Sequence, residues 1–370
     1  MTTTVLVTGS LGYIGSRLTA SLMEHGFRCV GYDAGFFKGC TLFPPVECPT
    51  RLIDARDLQE RDLDGVDAVV HLAGISNDPF GSLKPEAIYD PTRVYALQIA
   101  RMCKQRGIRF IFASSCSVYG VGDEALVTED APTYPQTPYS LNKLQVEQGL
   151  RALSDARFCP IMLRFATVFG LSPRMRFDLV INMLAGMAVT TGRILLNSNG
   201  KAWRPHVHLE DVCQAIRGCL ERPPRADGGV VLNVGETTHN LRILDVAELV
   251  KRCVPGCQIE FLKSREEDSA LRELIHDRKI QDGVDTRTYQ VSFERIKRVL
   301  PTFRCQPSVE ARIEEMVVQL RALLLTKEQF KDIAFYRLQR LEVLFREGRL
   351  TEDVRWNSRV PLESVAETAS

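Results

Sequence analysis

A chain of 370 residues, 45% apolar and 25% charged, is long enough to bury one large core or two modest ones, and its composition is that of a globular protein in water. A formal net charge of +1, with neither a basic block nor an acidic tail, argues against nucleic acid or a membrane surface as a partner. The eleven cysteines follow no disulfide-scaffold rhythm and the longest apolar stretch, 179–190, is too short to span a bilayer, so a reducing cytoplasm is the expected setting. The chain opens on an aliphatic strand at 5–7, followed at once by Thr8-Gly9-Ser10-Leu11-Gly12-Tyr13-Ile14-Gly15 and then a helical pattern over 15–25. Strand, glycine turn and helix in that order form a phosphate cradle. Gly9 permits the turn, Gly12 lets backbone approach a diphosphate, and Gly15 allows helix to pack on strand. A second strand, 28–32, ends on Asp33, where a carboxylate meets ribose hydroxyls and repels a 2′-phosphate. The pattern predicts a dinucleotide cofactor, NAD rather than NADP.

Further strands are expected at 50–53, 68–72, 110–113 and 160–164, alternating with a helix over 87–106 and one that opens at Thr137, an N-cap with Pro138 in the first turn. The alternation predicts a parallel doubly wound sheet. Beyond residue 170 it loosens. A helix around 177–187 leads to strands at 193–196 and 203–208, then a helix over 210–221, a strand over 230–234 and a helix over 243–254. A helix plus turn is expected over 326–356, and a frayed end from 357. The predicted organisation is 1–170 for dinucleotide and catalysis, 171–325 mostly for substrate, and 326–370 as a helical extension and tail.

Tyr139-Ser-Leu-Asn-Lys143 lies at the start of the Pro138 helix, and four residues apart on a helix puts phenol and ammonium on one face. A tyrosine titrating near ~10 is a poor base at neutral pH, and moving it by ~3 units takes ~4 kcal/mol. A neighbouring lysine and a positively charged nicotinamide supply that by stabilising the phenolate. Tyr139 then takes a proton from a substrate hydroxyl. Ser114-Ser115-Cys116-Ser117-Val118-Tyr119-Gly120 leaves the strand at 110–113, beyond whose carboxyl end ligands bind. Cys253 and Cys257 lack a second ligand pair, and His206 and His208 stand alone, so no metal is expected.

These motifs resemble those of the extended short-chain dehydrogenase/reductases, specifically the NAD-dependent nucleotide-sugar epimerase/dehydratase family. The ordered set runs through Thr8–Gly15, Asp33, 54–57, 71–74, 114–120, 139–143, Arg164–Gly170, 204–211 and 233–235, covering about residues 4 to 320. The resemblance implies a Rossmann-type sheet with a smaller C-terminal α/β substrate-binding domain. It implies that Gly9, Gly12, Tyr13, Ile14 and Gly15 line the diphosphate, Asp33 meets the ribose, Asp54 and Ala55 the adenine edge, and Leu72, Ala73, Gly74 and Ser114 the rest of the cofactor. Ser115 becomes the catalytic hydroxyl, Tyr139 the acid/base and Lys143 its electrostatic partner.

Substrate contacts are expected from Ser76, Asn77, Cys116, Ser117, Thr167, Arg174, Arg176, Asn182, Arg204 and Arg287. Family dehydratases carry an acid directly after the catalytic hydroxyl. Here those positions are Cys116 and Ser117, which disfavours dehydration; Cys116 either faces the pocket as a small wall or, the favoured reading, packs just behind it as a buried thiol. Pro91-Thr92 and Thr167 stand where asparagines are usual. The expected activity is NAD-dependent oxidation at C4 of a nucleotide-activated sugar, leading to the 4-epimer. The alternatives are a net 4-dehydrogenase or 4-ketoreductase, then a 4,6-dehydratase, then a non-catalytic dinucleotide sensor. A homodimer through a four-helix bundle is also implied, with Val94, Leu97, Met102, Leu144 and Leu150 offered as apolar surface.

Overall fold

The computed structural model describes residues 2–76, 85–120, 126–196, 198–261, 288–305 and 308–358. Seven parallel strands form the main sheet: β1 (Thr4–Thr8), β2 (Arg28–Asp33), β3 (Thr50–Leu52), β4 (Ala68–His71), β5 (Arg109–Ser115), β7 (Ile161–Phe165) and β11 (Val230–Val234). Their order is β11-β7-β5-β4-β1-β2-β3, so successive connections run to opposite sides of β1 and the direction reverses between β1 and β4. Ligands of such sheets bind at that reversal, beyond the carboxyl ends of the strands. Val5, Leu6 and Val7 are wholly buried, as a central strand covered on both faces requires. One face packs α1 (Tyr13–Glu24); the other packs α2 (Pro85–Arg106) and α3 (Pro138–Leu153). The seventh strand comes from beyond residue 170, so the expected division there is crossed by the sheet itself.

A second layer uses β8 (Thr167–Phe169), β10 (Trp203–His208) and β12 (Asn240–Arg242) in one small sheet, with α4 (Val180–Thr191), α5 (Leu209–Glu221) and α6 (Ile243–Cys253) around it. Two parallel pairs complete the strands: β9 (Arg193–Leu196) with β13 (Gln258–Phe261), and β6 (Leu126–Val127) with β14 (Gln290–Val291). Then follow α7 (Glu294–Val299), α8 (Val309–Ala322), α9 (Lys327–Lys331) and α10 (Arg337–Arg346).

Two expected surface residues are not at the surface. Met102 and Leu150 are buried against β5 and its neighbours, because the inward faces of α2 and α3 pack on the sheet. On the outer face Val94 is 57% exposed and Leu141 46%. All eleven cysteines are free thiols. No helix among the described residues is long and apolar enough to cross a membrane.

Candidate active site

The glycine turn is built as its residues require. Gly9 has φ +77°, and a Cβ there would lie 2.9 Å from the Ala73 nitrogen; one on Gly15 would lie 2.1 Å from the Gly9 carbonyl oxygen. Only hydrogen fits at either position. Gly12 caps α1 without any side-chain acceptor, as suits a helix terminus whose first-turn N–H groups serve an anion. Ile14 is half-buried, whereas the Tyr13 side chain turns inward, its hydroxyl donating to the Gly170 carbonyl at 2.7 Å. Asp33 accepts from the N–H groups of Leu11 (3.0 Å) and Gly35 (2.7 Å). Burial pushes its carboxyl up, opposed by those two donors and by Arg337 and Arg174. Asp54 caps the short turn Ala55–Asp57 and is gripped by Arg56 at 2.5 and 2.8 Å. On the far side of the reversal, Leu72 N–H donates to the Thr8 carbonyl and Ala73 N–H to the Thr8 hydroxyl, with Gly74 at φ +152°. This cradle, with its open helix terminus and its buried cations, fits a dinucleotide diphosphate.

Ser115 ends β5 and caps a short turn, Cys116–Tyr119. Its oxygen accepts from the Ser117 N–H at 3.2 Å, which leaves its own proton to donate outward. Thr137 and Ser140 form a reciprocal cap at the start of α3, with Pro138 in the first turn, and this fixes Tyr139 one residue inside the helix. Lys143, one turn on, is buried, and its ammonium donates to the Ala113 carbonyl at 2.6 Å. The same nitrogen lies 4.7 Å from the centre of the Phe112 ring and 5.7 Å from that of Tyr139. That hydrogen bond ties the tyrosine's helix to the serine's strand. Burial pulls Lys143 down to about 8, opposed by Glu147 and reinforced by Arg337. Tyr139 is half-buried beside Tyr89, their ring centres 6.5 Å apart. Lys143, with Tyr139 one turn before it, is thus bonded to the end of the strand that carries Ser115.

The expected substrate residues part company. Ser76, Arg174 and Arg176 gather together: the Ser76 hydroxyl accepts from Arg176 at 2.9 Å, and Asp178 pairs with Arg176 at 2.8 Å. Arg174 lies over the Phe37 ring, 4.6 Å from its centre, and on the Asp33 side of the cleft. Thr167 and Arg204 lie together on the small sheet, where Arg204 stacks on Tyr289 and donates to the Trp203 carbonyl at 2.8 Å. Asn182 spends its amide on Gly170, the Tyr13 hydroxyl and the Arg176 carbonyl, bracing the framework. Asn77 and Arg287 lie outside the described residues. Ser114 donates to Glu147 beneath the site.

Of the two positions expected for Cys116, pocket wall or buried just behind it, the structure has the second: it is only 1% exposed and directs its thiol to the Arg164 carbonyl at 3.2 Å. The turn after β5 rotates it into the core, and burial pushes the thiol up, so it is no proton acceptor for a sugar. Ser117, next to it, is also buried. Among the described residues no cluster of three or more histidine, cysteine or acidic side chains is placed to hold a metal. Sequence reasoning missed Arg337, whose Nη1 donates to the Ser76 hydroxyl at 2.6 Å. The one hint was four arginines between 337 and 349, in a segment read only as helix and turn.

Residues 5–235 match the model of the NAD dependent epimerase/dehydratase family. A UDP-glucose 4-epimerase of Azospirillum brasilense is 30% identical over 251 residues, 62% of this chain and 72% of the relative. Among solved structures, a UDP-glucuronic acid 4-epimerase from Bacillus cereus, in complex with UDP-glucuronic acid and NAD, superposes with TM-score 0.70 at 22% identity, covering 86% of this chain and 99% of the other. An NAD-dependent NDP-hexosamine 5,6-dehydratase of tunicamycin biosynthesis reaches TM-score 0.71 at 21% identity, covering 86% and 98%.

Proposed function

The chain belongs to the NAD-dependent epimerase/dehydratase family, and from that premise we propose that it oxidises C4 of a nucleotide-activated sugar and returns the sugar as its 4-epimer. The observation that carries the reading is the set Ser115, Tyr139 and Lys143 at the carboxyl end of β5, without a carboxylate at positions 116 and 117. When bound, NAD supplies the hydride acceptor and donor. Ser115 holds the C4 hydroxyl with a hydrogen bond, Tyr139 takes its proton, and the Lys143 ammonium stabilises the phenolate that this requires. Removing a C6 hydroxyl would demand an additional acid and base. Cys116 and Ser117, both buried, supply neither.

UDP-sugars are the first candidates, since the Azospirillum relative is a UDP-glucose 4-epimerase. Purified protein incubated with a panel of UDP-hexoses deuterated at C4, followed by NMR, is expected to give the epimer with the label retained and no net NADH. Stoichiometric NADH or an accumulating ketosugar would instead identify a net oxidoreductase.

The outer face of α2 and α3 is proposed as a homodimer contact. Val94 and Leu141 are exposed on these helices, and Val94 and Leu97 share a groove with Arg93, Arg101, Gln145 and Gln148. Sedimentation at micromolar concentration is expected to show particles of twice the 41.6 kDa chain mass; particles of that mass alone would remove the claim.

A further inference from the structure

The segment following α8 lies beyond the part of the chain matched by the family model. It does not trail away from the body. Phe330 and Phe335 pack their rings on Phe177 at 5.0 and 5.7 Å, and the Phe177 N–H donates to the Phe335 carbonyl. This aromatic anchor sets the start of α10 over the cleft. Leu341, Leu344, Leu350 and Val354 then form a cluster with Tyr89, against which Phe36, Phe37, Ile75 and Tyr139 pack. At its far end the Trp356 indole N–H donates to the Ala34 carbonyl at 2.5 Å, one residue after Asp33, and Arg56 donates to the carbonyls of Asp353 and Val354. The segment therefore touches both ends of the cleft, from the loop after Asp33 to the catalytic tyrosine.

Arg337 is the first residue of α10 and is nine-tenths buried. Its Nη2 lies 3.9 Å from where a Cβ on Gly12 would be, and its Nη1 is 3.5 Å from the Gly74 carbonyl. Gly12 follows β1 and Gly74 follows β4, so this guanidinium stands at the reversal of the sheet. Its Nε has no hydrogen-bond partner among the described residues, nor do Nε and Nη2 of the fully buried Arg174. The guanidiniums of Arg174 and Arg337 both lie over the Phe37 ring, 4.6 and 5.2 Å from its centre. The carboxylates nearby are committed: Asp178 to Arg176, and Asp33 to two backbone N–H groups. Buried cations in such excess over carboxylates, with donors unspent, call for an anion. Burial and the repulsion of Arg176 and Arg174 pull Arg337 down to about 9, against the attraction of Asp178 and Asp33, and the charge of a bound anion offsets that pull.

We infer that the C-terminal segment is a clasp on the cofactor cleft, and that Arg337, with Arg174, binds the diphosphate of the dinucleotide opposite the glycine turn. The inference rests on NAD as the cofactor. It adds to the cradle a guanidinium supplied from more than three hundred residues away in sequence, and it makes cofactor retention a property of the C-terminal segment as well as of the glycine turn.

The test is calorimetric titration of NAD and of adenosine, which lacks the diphosphate, into the full-length protein and its Arg337→Ala and Arg337→Lys variants. Arg337→Ala is expected to weaken NAD at least tenfold while adenosine binds as before, and Arg337→Lys to recover part of the loss. In a Trp203→Phe background Trp356 is the sole tryptophan, and its emission is expected to fall as NADH is added. Equal NAD affinity in Arg337→Ala overturns the proposal. So does tighter binding, which would mark the arginine as a plug, and so does an equal loss for adenosine, which would mark a general disturbance of the fold. A parent protein that binds adenosine but not NAD would instead remove the cofactor reading beneath it.

Discussion

Tyr139→Phe is expected to lower kcat by about a thousandfold, the scale on which loss of a positioned acid or base acts. The substitution removes one oxygen. It leaves the ring against Tyr89, the Thr137–Ser140 cap and the Lys143 bond to Ala113 in place. Stability and NAD affinity should therefore stay near those of the parent, and the loss should appear in turnover. The Lys143 ammonium, 5.7 Å from the centre of the Tyr139 ring, also stays where it is. Steady-state kinetics on whichever UDP-hexose the parent turns over, alongside NAD titration, check the point. Turnover within tenfold of the parent would remove Tyr139 from the reaction.

Glu147→Leu is expected to destabilise the fold by about 3–5 kcal/mol, the cost of leaving a buried charge unpaired. Glu147 and Arg164 are 1% and 3% exposed and meet through Nη2 at 2.7 Å and Nε at 3.0 Å. Arg164 also donates to the Tyr119 hydroxyl at 2.9 Å, which in turn donates to the Asn233 amide oxygen at 2.7 Å. Ser114 donates to the same carboxylate. The network spans α3, β5, β7 and β11 directly behind Ser115, and in Glu147→Leu the arginine keeps only the tyrosine oxygen. Denaturant unfolding measures the loss. The double variant Glu147→Leu/Arg164→Leu is expected to regain most of it, because no charge is then stranded. A double variant as unstable as the single would place the cost in packing instead.

Much of this was legible in the sequence because the central strands are aliphatic runs between glycine turns and capped helices. The strands Arg193–Leu196, Trp203–His208 and Val230–Val234 stand where periodicity placed them. The outward face of α3 was misread for a physical reason. Its inward face carries Asn142, Lys143 and Glu147, buried polar groups that bond to Tyr89, Ala113 and Arg164, so apolar counting cannot tell inside from outside there. For Cys116 the sequence allowed a pocket wall or a buried thiol just behind it, and the buried position is found because a short turn rotates each residue by about a third of a circle. The helix Val309–Ala322 passed unnoticed, its apolar positions Ile313, Met316, Val317 and Leu320 being interleaved with charged neighbours. Arg337 had no local signature, since its environment is made entirely by residues from elsewhere in the chain: Gly12, Phe37, Gly74 and Ser76.

The indole of Trp356 meets the carbonyl of Ala34 across 322 residues of chain. On a ribosome adding about 5–20 residues per second, roughly 16–64 seconds separate the synthesis of these two partners. Throughout that interval the glycine turn, β1 and β2 can already be joined, while the aromatic loop after Asp33 still lacks its cover. The cover over this loop is thus the last part of the pocket to be made, and a chain released before its last turn would carry the nucleotide-binding strands with Phe36 lacking the Trp356 ring that packs on it.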